Sequence, residues 1–258
     1  MVDYEIINLQ REYDVSMTDR FYSEILVPCF GKLPEELEDL TVMHQQLSTT
    51  NKDPSAEYIL YVIVVKSTET ADLLAGVCCE YYLRSNRGLV SYIATDPWFD
   101  TRGKGFGKIL VDQAVAALQA EAYKRDHADG CNGIFCETNT DAVSADRDVM
   151  LPARRRAILQ EFGFRCCKFD YVQPALGPGM EPCRTLYLGV LDAFLLASTN
   201  GIGRERVVES WRLATFLRDF FTVLMGSEGI EQDEDAVRQL RWLEAHAFIE
   251  VHDFSDKD

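Results

Sequence analysis

The stretch Thr95-Asp96-Pro97-Trp98-Phe99-Asp100-Thr101-Arg102-Gly103-Lys104-Gly105-Phe106-Gly107-Lys108 sets three glycines at alternate positions among three basic side chains. Glycine lets a main chain approach a ligand closely. The first N–H groups of a helix starting here would have no intrahelical acceptor and would lie at the positive end of its dipole. That combination suits a diphosphate, and Arg102, Lys104 and Lys108 can add charge. A P-loop is excluded, because Arg102 stands where its first glycine belongs and Ile109 replaces the hydroxyl that would hold magnesium. A dinucleotide-binding turn is excluded as well. Leu110 occupies its third glycine, and the turn follows a meander instead of opening a parallel unit.

The elements around the turn can be read from apolar spacing. Residues 3–9 form a short strand, and Phe21, Ile25 and Leu26 recur at helical spacing after Asp19, a start cap. A second helix is expected after Pro34, where Glu35, Glu36 and Glu38 suit the positive end of its dipole. Tyr58–Val65, Leu73–Tyr82 and Leu89–Thr95 are strands on short polar turns, an antiparallel meander. Beyond the glycines, Phe106, Ile109, Leu110, Ala114, Ala117 and Leu118 make the apolar stripe of a long helix. Then come a strand at Gly133–Thr138, an acidic loop, and a short helix opened by Pro152 and stopped by Gly163. Phe164–Val172 and Thr185–Leu191 read as the last two strands. From residue 192 the period turns helical, through Val207, Val208, Trp211, Ala214, Leu217, Phe221 and Leu224, then Val237, Leu240, Leu243 and Phe248. The expected organisation is a mixed α+β domain over 1–191 with a largely antiparallel central sheet flanked by helices, and a helical C-terminal extension over 192–258.

Composition removes several classes of function. Lys+Arg is 26 against Asp+Glu 42, a formal charge of −16, with no basic stripe, so nucleic acid is a poor partner. A cationic small molecule would suit this charge, as would mere solubility. The first residues have no basic region followed by an apolar run, and no stretch approaches the roughly 18 apolar residues of a membrane span. A soluble, cytoplasmic protein is expected. The 8 cysteines include the neighbours Cys78-Cys79 and Cys166-Cys167, whose alternating directions oppose ring closure. With no CxxC and four scattered histidines, free buried thiols are expected and no metal site.

In its strand–turn–helix setting, Arg102-Gly103-Lys104-Gly105-Phe106-Gly107 resembles the pyrophosphate-binding motif of the GNAT superfamily, the GCN5-related acetyltransferases. The resemblance covers most of residues 1–191 and includes Glu161-Phe162-Gly163-Phe164, similar to the second motif of that family, and Tyr171-Val172-Gln173-Pro174. It implies acetyl-CoA held by Arg102–Lys108, with the main chain of Ile93, Ala94 and Thr95 beside the thioester. Two departures stand out: a longer loop between Pro97 and Arg102, and Leu159 where many members carry the tyrosine that protonates the leaving thiolate.

Acetyl transfer to an amine needs a neutral amine, a polarised carbonyl and a leaving thiolate. A lysine-like amine with pKa near 10.4 costs about 4.6 kcal/mol to hold neutral at pH 7. Glu80 and Glu137 are the candidate proton acceptors, each on a strand where the alternative is an outward-facing charge. Tyr171 and Tyr92 are the candidate donors in place of Leu159, with packing as their alternative. Main-chain N–H groups of Ile93–Thr95 can polarise the carbonyl. Arg154, Arg155 and Arg156 are expected to pair with the acidic loop at Asp146–Asp148, and Trp211, Phe220 and Phe221 to form core or a dimer contact. The expected function is N-acetylation of a small, polar or cationic amine. The alternatives are an acyl-CoA-sensing module whose C-terminal helices bind a partner or dimerise, and a peptide or protein lysine acetyltransferase.

Overall fold

The computed structural model describes residues 3–33, 36–49, 56–99, 101, 103–144, 149–177, 179–197 and 206–255. The chain divides into two compact units, Met1–Tyr81 with Gly88–Cys131, and Tyr82–Arg87 with Asn132–Asp258. The expected boundary at 191/192 falls inside the second unit. The fold is mixed α+β, with mostly antiparallel sheet flanked by helices.

In the first unit, β1 (Tyr4–Asn8), β2 (Tyr58–Ser67), β3 (Leu73–Tyr82) and β4 (Arg87–Thr95) lie in that order. The outermost pair is antiparallel, and its register sets Glu5 opposite Lys66, whose charges meet at 2.6 Å. Nine of the ten β2 residues are buried, as in a strand covered on both faces. Helix α1 begins at Val15–Arg20, widens to π-helical hydrogen bonding over Phe21–Leu26 and closes at Val27–Phe30. Its cap is Asp14, which accepts from the Met17 N–H at 2.7 Å, one turn earlier than the expected Asp19. Phe21 lies so close to β3 that a Cβ on Gly76 would meet its ring at 2.3 Å, so helix and strand can pack this tightly only across a glycine.

The helix expected directly after Pro34 instead starts later, as α2 over Leu40–Thr49. Asp39 accepts from the Thr41 N–H at 2.7 Å and marks that start, while two tyrosine hydroxyls hold the 36–38 main chain outside a helix. Pro34 and Glu35 lie outside the described residues. Helix α3, Phe106–Lys124, follows the glycine turn and buries Phe106, Leu110, Val111, Ala114, Ala117 and Leu118; Ile109 is only half-buried. Its last turns are tied to β2 by Tyr61, whose hydroxyl donates to buried Glu121 at 2.8 Å.

In the second unit, the sheet order is β5 (Ile134–Asn139), β7 (Leu186–Leu191), β6 (Phe164–Cys167), β10 (Phe248–His252), β9 (Arg206–Glu209) and β8 (Leu196–Ala197). Every neighbouring pair is antiparallel. The C-terminal region therefore supplies three strands besides its helices, which corrects the reading of 192–258 as wholly helical. The strand expected over Phe164–Val172 ends at Cys167, because the Val172 main chain is bonded by a side chain instead of a sheet partner. Helix α4 spans Pro152–Glu161, α5 spans Ser210–Gln232 and α6 spans Glu234–Ala245. Phe216 of α5 stacks on Phe135 of β5 at 4.7 Å.

The ends of the later strands are joined by charge. Arg165 pairs with Asp192 at 2.9 Å and Asp253 at 2.8 Å, and Arg206 pairs with the same two aspartates at 2.9 Å each. This closed ring links β6, β9 and the chain beyond β7 and β10. All eight cysteines are free and seven are buried. No helix among the described residues is long and apolar enough to cross a membrane.

Candidate functional site

The glycine turn opens α3 as its spacing predicts. Gly103 and Gly105 take left-handed conformations, with φ of 70° and 77°, and Gly105 is the N-cap. A Cβ built on either meets nothing within 4 Å, so backbone conformation and not crowding selects glycine here. Ile109 N–H donates to the Gly105 carbonyl at 3.1 Å. Among the described residues, no acceptor faces the N–H groups of Gly105, Phe106, Gly107 or Lys108. Four donors at a helix N-terminus, beside open space, fit a diphosphate.

The basic side chains differ in their engagement. Lys104 lies 4.6 Å from the centre of the Phe99 ring. Lys108 turns along α3 to pair with Asp112. Arg102 lies outside the described residues. Ile93, Ala94 and Thr95 are half-buried at the end of β4, and the chain leaves the strand as the Asp96 N–H donates to Leu74 at 2.9 Å.

The same unit holds two carboxyl groups that sense one another. Glu80 is half-buried on β3, and Glu38 projects from the irregular segment before α2. Burial, then the neighbouring charge of Glu80, then Asp39, pushes the Glu38 carboxyl up to about 8. Its main chain is held from both sides. Tyr92 donates to the Glu36 carbonyl at 2.8 Å and accepts from the Glu38 N–H at 3.0 Å, while Tyr22 donates to the Glu38 carbonyl at 2.9 Å. Burial drives the Tyr92 phenol well above its ordinary range, so it remains protonated. Its hydroxyl is thus engaged in fixing Glu38. Sequence reasoning treated Glu38 as a helix-dipole residue, and nothing in its neighbours marks it as a partner of Glu80.

The second unit brings Glu137 and Tyr171 together. The Tyr171 hydroxyl donates to Glu137 Oε1, and Gln173 Nε2 donates to both carboxylate oxygens at 3.1 and 3.0 Å. Tyr171 and Gln173 are buried. Between them, Val172 is bonded at both main-chain groups by Gln239 of α6: its Oε1 accepts from Val172 N–H at 3.0 Å, and its Nε2 donates to Val172 O at 3.1 Å. Among the described residues, Gln173 Oε1 and Thr138 Oγ1 are buried with no hydrogen-bond partner. Gln173 and Gln239 carry no sequence signal, since an amide acquires meaning only from what faces it.

The remaining candidates separate. Leu159 is buried on α4. Arg156 donates to Asn139 O at 3.0 Å and Asp141 at 2.7 Å; Asp146–Asp148, its expected partners, lie outside the described residues. Phe220 and Phe221 are core, whereas Trp211 is exposed, with the Arg87 and Arg212 guanidinium groups 5.1 and 4.9 Å from its ring. Burial pushes the Cys78, Cys79, Cys136 and Cys167 thiols up, which disfavours a thiolate nucleophile there. Among the described residues no group of three metal-ligating side chains gathers.

No family model matches the sequence, and no curated protein does. Solved structures similar to this chain include three acetyltransferases. Nourseothricin acetyltransferase is 18% identical, over 51% of this chain and 64% of its own, with a TM-score of 0.36. The PaiA N-acetyltransferase from Thermoplasma acidophilum, in complex with coenzyme A, is 8% identical over 73% of this chain and 98% of its own, at 0.45. A GNAT-family acetyltransferase from Bacillus anthracis is 11% identical over 74% of this chain and 98% of its own, at 0.41. The likeness is remote in identity and in superposition alike.

Proposed function

We propose that the chain is an acetyl-CoA-dependent N-acetyltransferase of the GCN5-related kind, acting on the amine of a small polar or cationic acceptor. The observation that carries this reading is the turn at Gly103–Lys108, with two left-handed glycines and a helix N-terminus whose N–H groups have no acceptor among the described residues. Bound there, acetyl-CoA supplies the activated acyl group. Main-chain donors of Gly105–Lys108 hold its diphosphate, and Lys104 and Arg102 add positive charge. The half-buried end of β4, Ile93–Thr95, offers main-chain N–H to the carbonyl as negative charge develops.

The incoming ammonium must lose a proton. Glu38 and Glu80 form the acceptor pair: burial, and then the charge of Glu80, lets Glu38 hold its proton toward pH 8, which makes it a stronger base than an ordinary carboxylate. Tyr171, whose hydroxyl bonds the Glu137 carboxylate that Gln173 also holds, is the proton donor in this reading, in place of Leu159. The strongly negative chain favours a cationic acceptor.

Calorimetric titration with CoA and acetyl-CoA tests the assignment, and absence of binding at millimolar ligand sinks it. A second reading, an acyl-CoA sensor whose residues 192–258 bind a partner or a second copy, draws on buried Leu159 at the family's tyrosine position. Amine-dependent release of free thiol, measured over aliphatic diamines and a lysine-bearing peptide, decides between turnover and sensing, and between small and peptide acceptors.

A further inference from the structure

We propose that Gln239, on the penultimate element of the chain, is a positioning residue that sets the Tyr171–Glu137 hydrogen bond by clamping both main-chain groups of Val172. The inference rests on Tyr171 and Glu137 acting in the reaction proposed above.

The clamp is unusual in its economy. Gln239 is 1% exposed on α6, and its amide uses the acceptor and one donor on a single residue 67 positions away. That residue lies between two side chains that converge on one carboxylate. Chain direction at Val172 therefore controls where the Tyr171 hydroxyl and the Gln173 amide arrive. Beyond Cys167, where β6 ends, Lys168 N–H still donates to Glu250 O at 2.9 Å, Asp170 pairs with Arg238 of the same helix, and Gln173 forms an isolated bridge to Cys183; among the described residues no main-chain group pairs Val172 itself. The clamping helix is itself anchored. Asp233 caps it through the Ala236 N–H at 2.7 Å, and Asp235 pairs with Arg184 at 2.5 Å. The chemistry demands an amide at position 239, because Val172 presents one donor and one acceptor. A carboxylate satisfies the first and repels the second; a protonated carboxyl satisfies both.

The test follows from that asymmetry. Q239E and Q239L are compared with the unmodified chain in two readouts: acetyl-CoA with 1,4-diaminobutane from pH 6 to 9, and the 13Cζ resonance of Tyr171 in tyrosine-labelled protein, assigned with Y171F. Q239L is expected to lower kcat about tenfold with the KM for acetyl-CoA unchanged. Q239E is expected to approach the unmodified rate at pH 6, where the buried carboxyl holds its proton, and to fall to the Q239L level by pH 9. The Tyr171 resonance is expected to move in Q239L while the other tyrosines stay in place. If Q239L and Q239E lose activity equally at every pH, or the Tyr171 resonance stays fixed, the inference fails. If the unmodified chain shows no transfer, the reading of the function fails, and the resonance alone still decides the clamp. Should Q239L not fold, the pH series of Q239E carries the same decision.

Discussion

Glu38 in the first unit and Glu137 in the second are half-buried carboxyl groups near tyrosines, and their surroundings treat them in opposite ways. Around Glu137, a phenol and an amide both donate to the carboxylate, which answers its charge from within the unit. Around Glu38, the tyrosines bond the main chain, and burial of the carboxyl, then the neighbouring charge of Glu80, pushes it up to about 8. The same contrast extends outward. In the first unit no acceptor among the described residues faces the helix N–H groups at Gly105–Lys108, whereas the second closes Arg165, Arg206, Asp192 and Asp253 into a ring. Groups without internal partners are where a ligand can bind strongly; groups satisfied internally hold a framework still.

The sharpest way to break this comparison is G105V. A β-branched residue is strained at φ of 77°, so the turn must rearrange although no atom crowds the new side chain. CoA affinity measured by calorimetry is expected to fall about a hundredfold or more with the fold retained. Next in size is R165A, which leaves two aspartates of the ring with one guanidinium between them. We expect a loss of about 1–3 kcal/mol in chemical denaturation, with little change in CoA affinity. An equal loss of affinity would mean that the charged ring also helps to hold the cofactor.

E38Q probes the carboxyl pair and is expected to cost about tenfold in kcat/KM at pH 8 while removing the limb that rises through about 8 in the unmodified profile. The sign for stability is opposite to that of a salt-bridged carboxylate. The folded chain keeps the Glu38 proton up to about 8, whereas an unfolded carboxyl releases it near 4.5, so stability declines as pH rises through that window. Thermal melting from pH 5 to 9 should show the decline, and E38Q should flatten it. The smallest effect is expected from K108A, at most about twofold in CoA affinity, since that ammonium already pairs with Asp112 on an exposed helix face.

Residue type and spacing were enough for the local features. Alternating apolar runs marked the meander, and Gly103 and Gly105 announced the turn because left-handed conformations select glycine. Pro152 and Gly163 bracketed α4 for equally local reasons. The short strands β8, β9 and β10 escaped notice because two, four or five residues beside long helical periods give too little alternation to read. Glu80 and Glu137 were visible as carboxylates on strands, but their partners were not. Glu38 reaches its setting through Tyr22 and Tyr92, 16 and 54 residues away, and Val172 meets Gln239 across 67. A hydrogen bond depends on distance and direction in space, and neither is encoded by neighbours along the chain. The sequence alone therefore determined which segments could bind phosphate or form sheet, through propensities acting over a few residues. Tertiary structure decided which carboxyl would be satisfied and which would be left under electrostatic tension, because burial, neighbouring like charge and hydrogen-bond donors exist only once distant segments have packed together.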